Sequence, residues 1–177
     1  MLISKFQKTS AEQIARQLGK IPQELQQFLE KYNGGETPKT SFSIKNVSSD
    51  LVGFYGVGKV KYSYSDVSTI RYNNTVFLPI AFDSFGNQIV ISLDRGEIGF
   101  LDHEKGTEPV MLCRNLYDFI ENVHSSPVDS KNVKSIEQRE EELRARGMGN
   151  IISDALRDLW KQEIAKYSNI EQEPVEF

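Results

Sequence analysis

The segment from residue 78 to residue 104, LPIAFDSFGNQIVISLDRGEIGFLDHE, restricts the possible folds of this chain most strongly. Side chains along a strand alternate between its two faces, so the run NQIVISLD places Ile89, Ile91 and Leu93 on the same face. Turns flank this run at residues 83–86 and 94–97, and each opens with an aspartate and contains a glycine. Short strands joined this closely predict an antiparallel meander, and we expect one of its faces to be buried.

Further strand patterns occur on both sides of this segment. Residues 41–44, 51–58, 75–82 and 110–113 are short apolar or aromatic runs bounded by turn-forming residues. Pro79 lies inside the run 75–82, where it indicates an edge strand or a bulge because proline cannot donate to a sheet ladder.

Helical patterns flank the strands. Ser10 and Gln13 form a capping box for a first helix, and Pro22 suits the first position of a second. The second helix has an apolar stripe with the spacing i, i+3, i+4, i+7, formed by Leu25, Phe28, Leu29 and Tyr32. The sequence Asn33-Gly34-Gly35 is expected to end it. A third helix is capped by Asn115 and has a stripe of Leu116, Phe119, Ile120 and Val123.

The chain changes character after residue 124. Residues 124–132 are small and polar with one proline, which is typical of a linker. Residues 133–146 predict a largely solvated helix, and residues 151–167 have apolar residues at helical spacing. We therefore divide the chain into a domain at residues 1–124 and a helical C-terminal extension at residues 125–177, which could also pair two copies of the chain.

Charge and composition exclude several classes of function. The net charge of −4 argues against a nucleic-acid groove, which needs clustered basic residues. No leader pattern or long apolar stretch is visible, so we expect a cytoplasmic protein without a membrane interaction. Cys113 is the only cysteine and lies in an apolar run, where it is expected to be a small core residue.

The polar residues of the meander do not require an active site. Asp83 and Asp94 each open a turn, where a short acid commonly bonds its own backbone, and we prefer this interpretation to an acid–base pair. The cluster Asp102-His103-Glu104 has only His124 as a further histidine, too few ligands for zinc. No Gly-x-Ser-x-Gly elbow is present, and GFYGVG at residues 53–58 lacks the spacing of a phosphate loop. We expect no catalytic residue, metal or cofactor.

Several stretches, taken in order, resemble the SUKH superfamily of cell-wall-regulator-like and toxin-immunity proteins. They are IPQELQQFLEKYNGGETP at residues 21–38, FYGVG at 54–58, the segment 78–104 and NLYDFIENV at 115–123. Leu101 departs from the pattern, since many relatives have tryptophan there. The resemblance covers residues 10–124 and implies an α+β fold, with helices packed on a twisted, mostly antiparallel sheet, and a non-enzymatic role.

Bacterial members of this superfamily are typically immunity proteins, so the resemblance implies that this chain binds and neutralises a toxin domain, often a nuclease. An acidic surface would complement the basic cleft of a nuclease. The candidate contact residues are Tyr55, Tyr62, Asp83, Asn87, Asp102, His103 and Glu104. Two alternatives stay open. One is a regulator or scaffold that recruits a partner through its C-terminal helices, and the other is a small-molecule-binding protein or hydrolase that uses a groove near His103.

Overall fold

The computed structural model describes residues 1–168 and 170–177, which form two compact units. The first unit comprises Met1–Pro127 together with Gln172–Phe177, and the second comprises Val128–Glu171. The elements of the first unit are, in chain order, β1 Leu2–Ser4, α1 Ala11–Leu18, α2 Gln23–Tyr32, β2 Glu36–Ile44, β3 Val47–Phe54, β4 Ile70–Tyr72, β5 Thr75–Phe82, β6 Gln88–Ser92, β7 Ile98–Leu101, β8 Val110–Cys113, α3 Leu116–Glu121 and β9 Val123–Ser125. After α4 Ile136–Ala145 and α5 Asp154–Tyr167 of the second unit, β10 Gln172–Pro174 returns to the first.

Within the described residues, ten strands form one antiparallel sheet in the order β10-β1-β2-β3-β5-β6-β7-β8. Strand β4 pairs with β5, and β9 pairs with β2. The meander β5-β6-β7-β8 follows the chain order that the turn residues predict. Pro79 lies at a register shift in the pairing of β5 with β6, so the predicted bulge is confirmed. The α+β fold, with helices packed on a mostly antiparallel sheet and further helices near the C-terminus, is likewise confirmed.

The main core lies between the helices and one face of the sheet. The predicted stripe of α2 is buried throughout, and it packs with Phe119 of α3 and with Phe54, Ile89 and Ile91 of the sheet. Phe28 packs on Phe54 with ring centroids 4.7 Å apart. Burying an aliphatic or aromatic side chain stabilises a fold by about 1.5–3 kcal/mol, so this layer supplies much of the stability of the first unit.

The meander buries both of its faces, so the expectation of one buried face is wrong. Phe77, Val90 and Leu101 form a second cluster, against which Ile70, Tyr72 and Met111 pack. Val90 lies between Ile89 and Ile91 and therefore points to the opposite side of β6. The side chains of Ile70, Tyr72 and Met111 cover this second face locally, which lets β6 carry consecutive apolar residues.

Local chemistry sets the ends of the helices. The capping box of α1 is confirmed, since Ser10 and Gln13 exchange backbone and side-chain hydrogen bonds. Pro22 is the N-cap of α2 rather than its first helical residue, with an extended ψ of 141°. Asn115 caps α3 as predicted, and Glu24 of α2 accepts a further hydrogen bond from the N–H of Leu116 at 3.0 Å.

Residues 123–125 form a strand rather than the end of a helix and the start of a linker. The sequence predicts Val123 in the stripe of the third helix, but α3 ends at Glu121 and Val123 begins β9. Strand β9 pairs with β2 through Phe42 opposite Val123 and Thr40 opposite Ser125. The first residues of the predicted linker are therefore part of the sheet.

The second unit is a pair of helices rich in ion pairs. Glu140 of α4 binds Arg157 of α5 at 2.6 Å, and Arg139 binds Glu163 at 2.7 Å. No residue of α4 or α5 is buried. None of the described helices combines the length and the apolar composition needed to cross a bilayer.

The turn after α2 crosses the end of β3 at very close range. The side-chain amide of Asn33 is buried, donates to the carbonyl of Val57 at 3.0 Å and accepts from the Val57 N–H at 2.7 Å. Gly34 adopts φ +71°, which favours glycine. A Cβ on Gly56 would lie 2.5 Å from both Asn33 Oδ1 and the Gly34 nitrogen. We call Asn33, Gly34, Gly35, Gly56 and Val57 the Asn33 crossing.

Substitution of Gly56 tests the crossing. We expect Gly56→Ala to lower the free energy of unfolding by about 3 kcal/mol, because the new methyl group meets backbone atoms that cannot move aside. Gly106→Ala is the matched control. Gly106 has φ +96° but open space around it, so only backbone strain of about 1 kcal/mol is expected. Urea denaturation measures both values, and equal losses in the two variants would contradict the steric argument.

Candidate functional site

Asp83 organises the turn between β5 and β6. Its carboxylate is buried and accepts four hydrogen bonds. Oδ1 accepts from the N–H groups of Phe85 at 2.9 Å and Asn87 at 2.8 Å, and Oδ2 accepts from Ser49 Oγ at 2.6 Å and Asn87 Nδ2 at 2.8 Å. Both oxygens are satisfied, so this acid holds the turn in one conformation, as the turn chemistry predicts.

Asn87 connects Asp83 to His103. Since its Nδ2 donates to Asp83, its Oδ1 faces His103, where it accepts the backbone N–H at 3.1 Å and lies 2.9 Å from Nδ1. A carbonyl oxygen cannot donate, so the proton of this contact belongs to His103 Nδ1. His103 Nε2 then faces the Glu104 carboxylate at 4.0 Å. We call Ser49, Asp83, Asn87 and His103 the Asp83 network.

The network is unlike the site of a serine hydrolase. The hydroxyl of Ser49 donates to Asp83, whereas a nucleophilic serine would donate to a histidine. The histidine is oriented by an amide rather than by a carboxylate. Among residues 1–168 and 170–177, no group of three or more histidine, cysteine or acidic side chains is placed to hold a metal ion.

Asp102 and Glu104 have different environments. Asp102 accepts from Lys105 Nζ at 2.8 Å and from the Glu104 N–H at 3.0 Å, and these contacts lower the pKa of the Asp102 carboxyl. The side chain of Glu104 is 80% exposed. The two carboxylates therefore do not form a buried acid–base pair. Asp102 stabilises its own turn, and Glu104 projects a charge into solvent.

The two predicted tyrosines pack on Phe82, the residue before Asp83. The ring centroid of Phe82 lies 5.2 Å from that of Tyr55 and 4.7 Å from that of Tyr62. Both tyrosines are half-buried, and burial raises the pKa of the Tyr55 hydroxyl. The structure thus brings Asp83, Asn87 and His103 into one hydrogen-bonded network, while Tyr55 and Tyr62 form an aromatic group beside it, joined through Phe82.

A buried ion-pair cluster beside Tyr62 was not found by sequence reasoning. Glu36 lies at the start of β2, is 8% exposed and binds Lys61 Nζ at 2.6 Å and Lys5 Nζ at 3.0 Å. Burial alone would raise the pKa of Glu36, but the hydrogen bonds from the two lysines outweigh burial and lower it. Lys61 Nζ also lies 4.9 Å from the centroid of the Tyr62 ring. Residues this far apart in sequence give no signal of such a cluster.

Sequence reasoning also missed Phe85. It stands at the tip of the turn that Asp83 holds and is 71% exposed. Asp50 supports the tip from one side by accepting the Ser84 N–H at 3.1 Å. On the other side, His103 Nδ1 lies 4.0 Å from the position that a Cβ on Gly86 would take. The sequence did contain a signal for this exposed residue, because Phe85 is a large apolar residue within a polar turn. We call Phe85, Asp50, His103 and Glu104 the Phe85 surface.

Removing the charge of Asp83 tests its role in holding this tip. In Asp83→Asn the new NH₂ group faces other donors, since Ser49, Asn87 and two backbone N–H groups all donate to this side chain. We expect a loss of about 2–3 kcal/mol in the free energy of unfolding. Asp94→Asn, at the exposed acid of the next turn, should cost less than about 0.5 kcal/mol. Urea denaturation gives both values. If Asp83→Asn left the free energy of unfolding unchanged, Asp83 would not be what holds the turn.

The comparison with protein families identifies the group to which the chain belongs. Residues 8–122 match the model of the SMI1 / KNR4 family (SUKH-1). The match covers well over half of the chain and includes the Asn33 crossing, the Asp83 network and the Phe85 surface. No curated protein and no solved structure is matched. The resemblance predicted from the sequence is confirmed, and the chain belongs to the SMI1/KNR4 family (SUKH-1).

Proposed function

We propose that this protein is a cytoplasmic, non-enzymatic immunity protein that binds and neutralises the toxin domain of a bacterial toxin system, and that this toxin is a nuclease. Membership of the SMI1/KNR4 family is consistent with an immunity or a cell-wall regulator role. The observation that favours toxin binding most is Phe85, an aromatic side chain 71% exposed on a turn that the buried Asp83 holds rigid.

An exposed aromatic residue on an ordered turn suits the centre of a protein interface. Aromatic anchors that enter a partner's pocket carry a large share of binding energy at many interfaces. A residue whose backbone is already held in one conformation loses less conformational entropy on binding than a residue on a flexible loop. The hydrogen bonds from Phe85 and Asn87 N–H groups to Asp83 provide this preorganisation. Phe85 would therefore fill an apolar pocket on the toxin.

The charges around Phe85 suit a basic partner. Glu104 is exposed, and Asp50 flanks the same turn through Ser84. A nuclease cleft carries lysine and arginine that neutralise phosphates, so exposed carboxylates can occupy the same positions. Such complementarity accelerates association and excludes partners of the wrong charge. The anchor and the charges together would block access of nucleic acid to the cleft.

The sequence-predicted contact residues take two roles in this proposal. Asp83 is buried and Asn87 is engaged on both sides of its amide, so these two residues support the surface rather than touch the toxin. His103 and Glu104 are exposed beside the tip and would contact the toxin, with Asp102 holding their turn. Tyr55 and Tyr62 would extend the contact through their partly exposed rings beside Phe82.

Rescue and binding assays test the proposal together. A candidate toxin nuclease domain is expressed in cells, and survivors are counted with and without the protein. Affinity is then measured by titration calorimetry for the wild type, Phe85→Ala and Glu104→Lys. We expect Phe85→Ala to weaken binding by about 30-fold, as for a central anchor. Glu104→Lys should mainly slow association, and more strongly at low salt.

Asp94→Lys is the matched control, because Asp94 is an exposed acid on the neighbouring turn and lies outside the Phe85 surface. It should bind as the wild type does. Full rescue by Phe85→Ala, with unchanged affinity for both surface variants, would show that toxin is bound elsewhere. Death of cells that express the folded protein would contradict immunity against that toxin.

The second unit favours one other function, a scaffold that self-associates through its helices. Leu159 of α5 is 61% exposed and Ile151 is 51% exposed, although both are large apolar residues. If this unit pairs two copies, Leu159→Arg should convert a dimer into a monomer in sedimentation experiments. Lys161→Glu, a control on the same helix, should leave the dimer intact. A wild-type protein that is monomeric at high concentration would remove this alternative.

A further inference from the structure

A cavity of about 290 Å³ lies next to the Asn33 crossing. It is bounded by the segment before α1, one side of α1, Asn33 and the residues that follow β3. All of its walls belong to the first unit. Its volume is at the lower end of the range found for small-molecule sites. The side chains that give it chemical character are Lys8, Gln13, Arg16, Gln17 and Lys59.

The charges on the walls of this cavity are all positive. Lys8, Arg16 and Lys59 line it, and none of the lining residues is acidic. Arg16 pairs with Glu12 at 3.0 Å on the exposed side of α1. Lys8 and Lys59 have no hydrogen-bond or ion-pair partner within the part of the chain that the structure describes. Two unpartnered ammonium groups at one cavity favour an anionic ligand.

The two glutamine amides add donors to the same cavity. Gln13 Oε1 accepts from the Thr9 hydroxyl at 2.7 Å and from the Ser10 N–H at 3.3 Å. Gln17 Oε1 accepts from the Gly58 N–H at 2.8 Å. These backbone donors fix the orientation of both amides, since only the oxygen can accept. Each side chain therefore keeps its NH₂ group for another partner.

From these features we infer that the cavity binds a small acceptor-rich dianion, one that carries a phosphate group or two carboxylates. The ammonium and amide N–H groups around it can only donate, and phosphate and carboxylate oxygens can only accept. Charge-assisted hydrogen bonds of this kind are stronger than neutral ones. The site is separate from the Phe85 surface and does not depend on toxin binding.

Ligand binding here would also stabilise the fold. Asn33 and Val57 line the cavity, and both belong to the Asn33 crossing. A ligand that binds only the folded state raises the free energy of unfolding as its concentration exceeds its Kd. The thermal midpoint therefore gives a second readout, independent of any activity.

The test uses the full chain at pH 8 with inorganic phosphate and succinate as probes, each titrated against sodium chloride of equal ionic strength. Binding is followed by calorimetry and by the amide NMR signals of Gln17 and Gly58, and stability by thermal unfolding. We expect saturable binding of at least one anion, with shifts centred on these two signals and a raised midpoint. Binding of phosphate alone would identify a phosphorylated ligand, binding of succinate alone a dicarboxylate, and binding of both a general dianion site.

Gln13→Glu is the decisive variant. Glutamate also forms a capping box, so the contacts to Ser10 and Thr9 are kept while a donor becomes a negative charge. Its affinity for the anion should fall at least about tenfold with no loss of thermal stability. Lys59→Gln should weaken binding similarly, and Lys20→Gln, an exposed lysine outside the cavity, should not. Failure of both anions to bind would overturn the inference, as would Gln13→Glu and Lys59→Gln variants that bind as Lys20→Gln does.

Discussion

The buried amide of Asn33 is the contact on which the first unit depends most. It satisfies both backbone groups of Val57, and its own backbone exchanges two hydrogen bonds with Gln7, at 3.0 and 2.9 Å. One residue therefore joins the segment before α1, the end of α2 and the segment after β3. The glycines around it follow from this geometry, because a Cβ on Gly56 would lie 2.5 Å from the Gly34 nitrogen, and a Cβ on Gly34 or Gly35 would collide with the side chain of Val60 or Ile3. The cationic cavity exists because the same crossing brings Gln17, Gly58 and Lys59 together.

Asp83 plays the corresponding role at the opposite end of β3. Its carboxylate is used entirely in holding the β5–β6 turn, so it is not free to act as a base or to bind a partner directly. This internal role has an external consequence, because the turn that it holds exposes Phe85. An exposed phenylalanine on a flexible loop would lose entropy on binding and would favour aggregation. On an ordered turn beside Asp50 and Glu104 it is an exposed apolar group surrounded by charges, which is what the proposed contact with a toxin requires.

Local sequence patterns predicted most helices and strands. Contacts between residues that are far apart in the sequence account for the features that these patterns did not predict. The capping box of Ser10 and the stripe from Leu25 to Tyr32 depend on residues within two turns of helix, so the sequence reveals them. Burial of Val90 depends on Ile70 and Met111, which come from strands elsewhere in the chain. In the candidate site, the turn role of Asp83 follows from neighbouring residues. The link from Asn87 to His103 requires β6 to pair with β7, and the exposure of Phe85 depends on the direction of a turn that periodicity does not encode.

The return of the chain at β10 affects how the second unit can fold. Strand β9 pairs with β2, β10 pairs with β1, and β1 pairs with β2, so both flanking segments are fixed on one sheet. Helices of 10 and 14 residues without buried side chains are marginal in isolation. Fixing both ends lowers the entropy that the intervening chain must lose, and ion pairs such as Glu140 to Arg157 then add specificity. Because the unit forms without burying Leu159, that apolar side chain stays available for contact with another molecule.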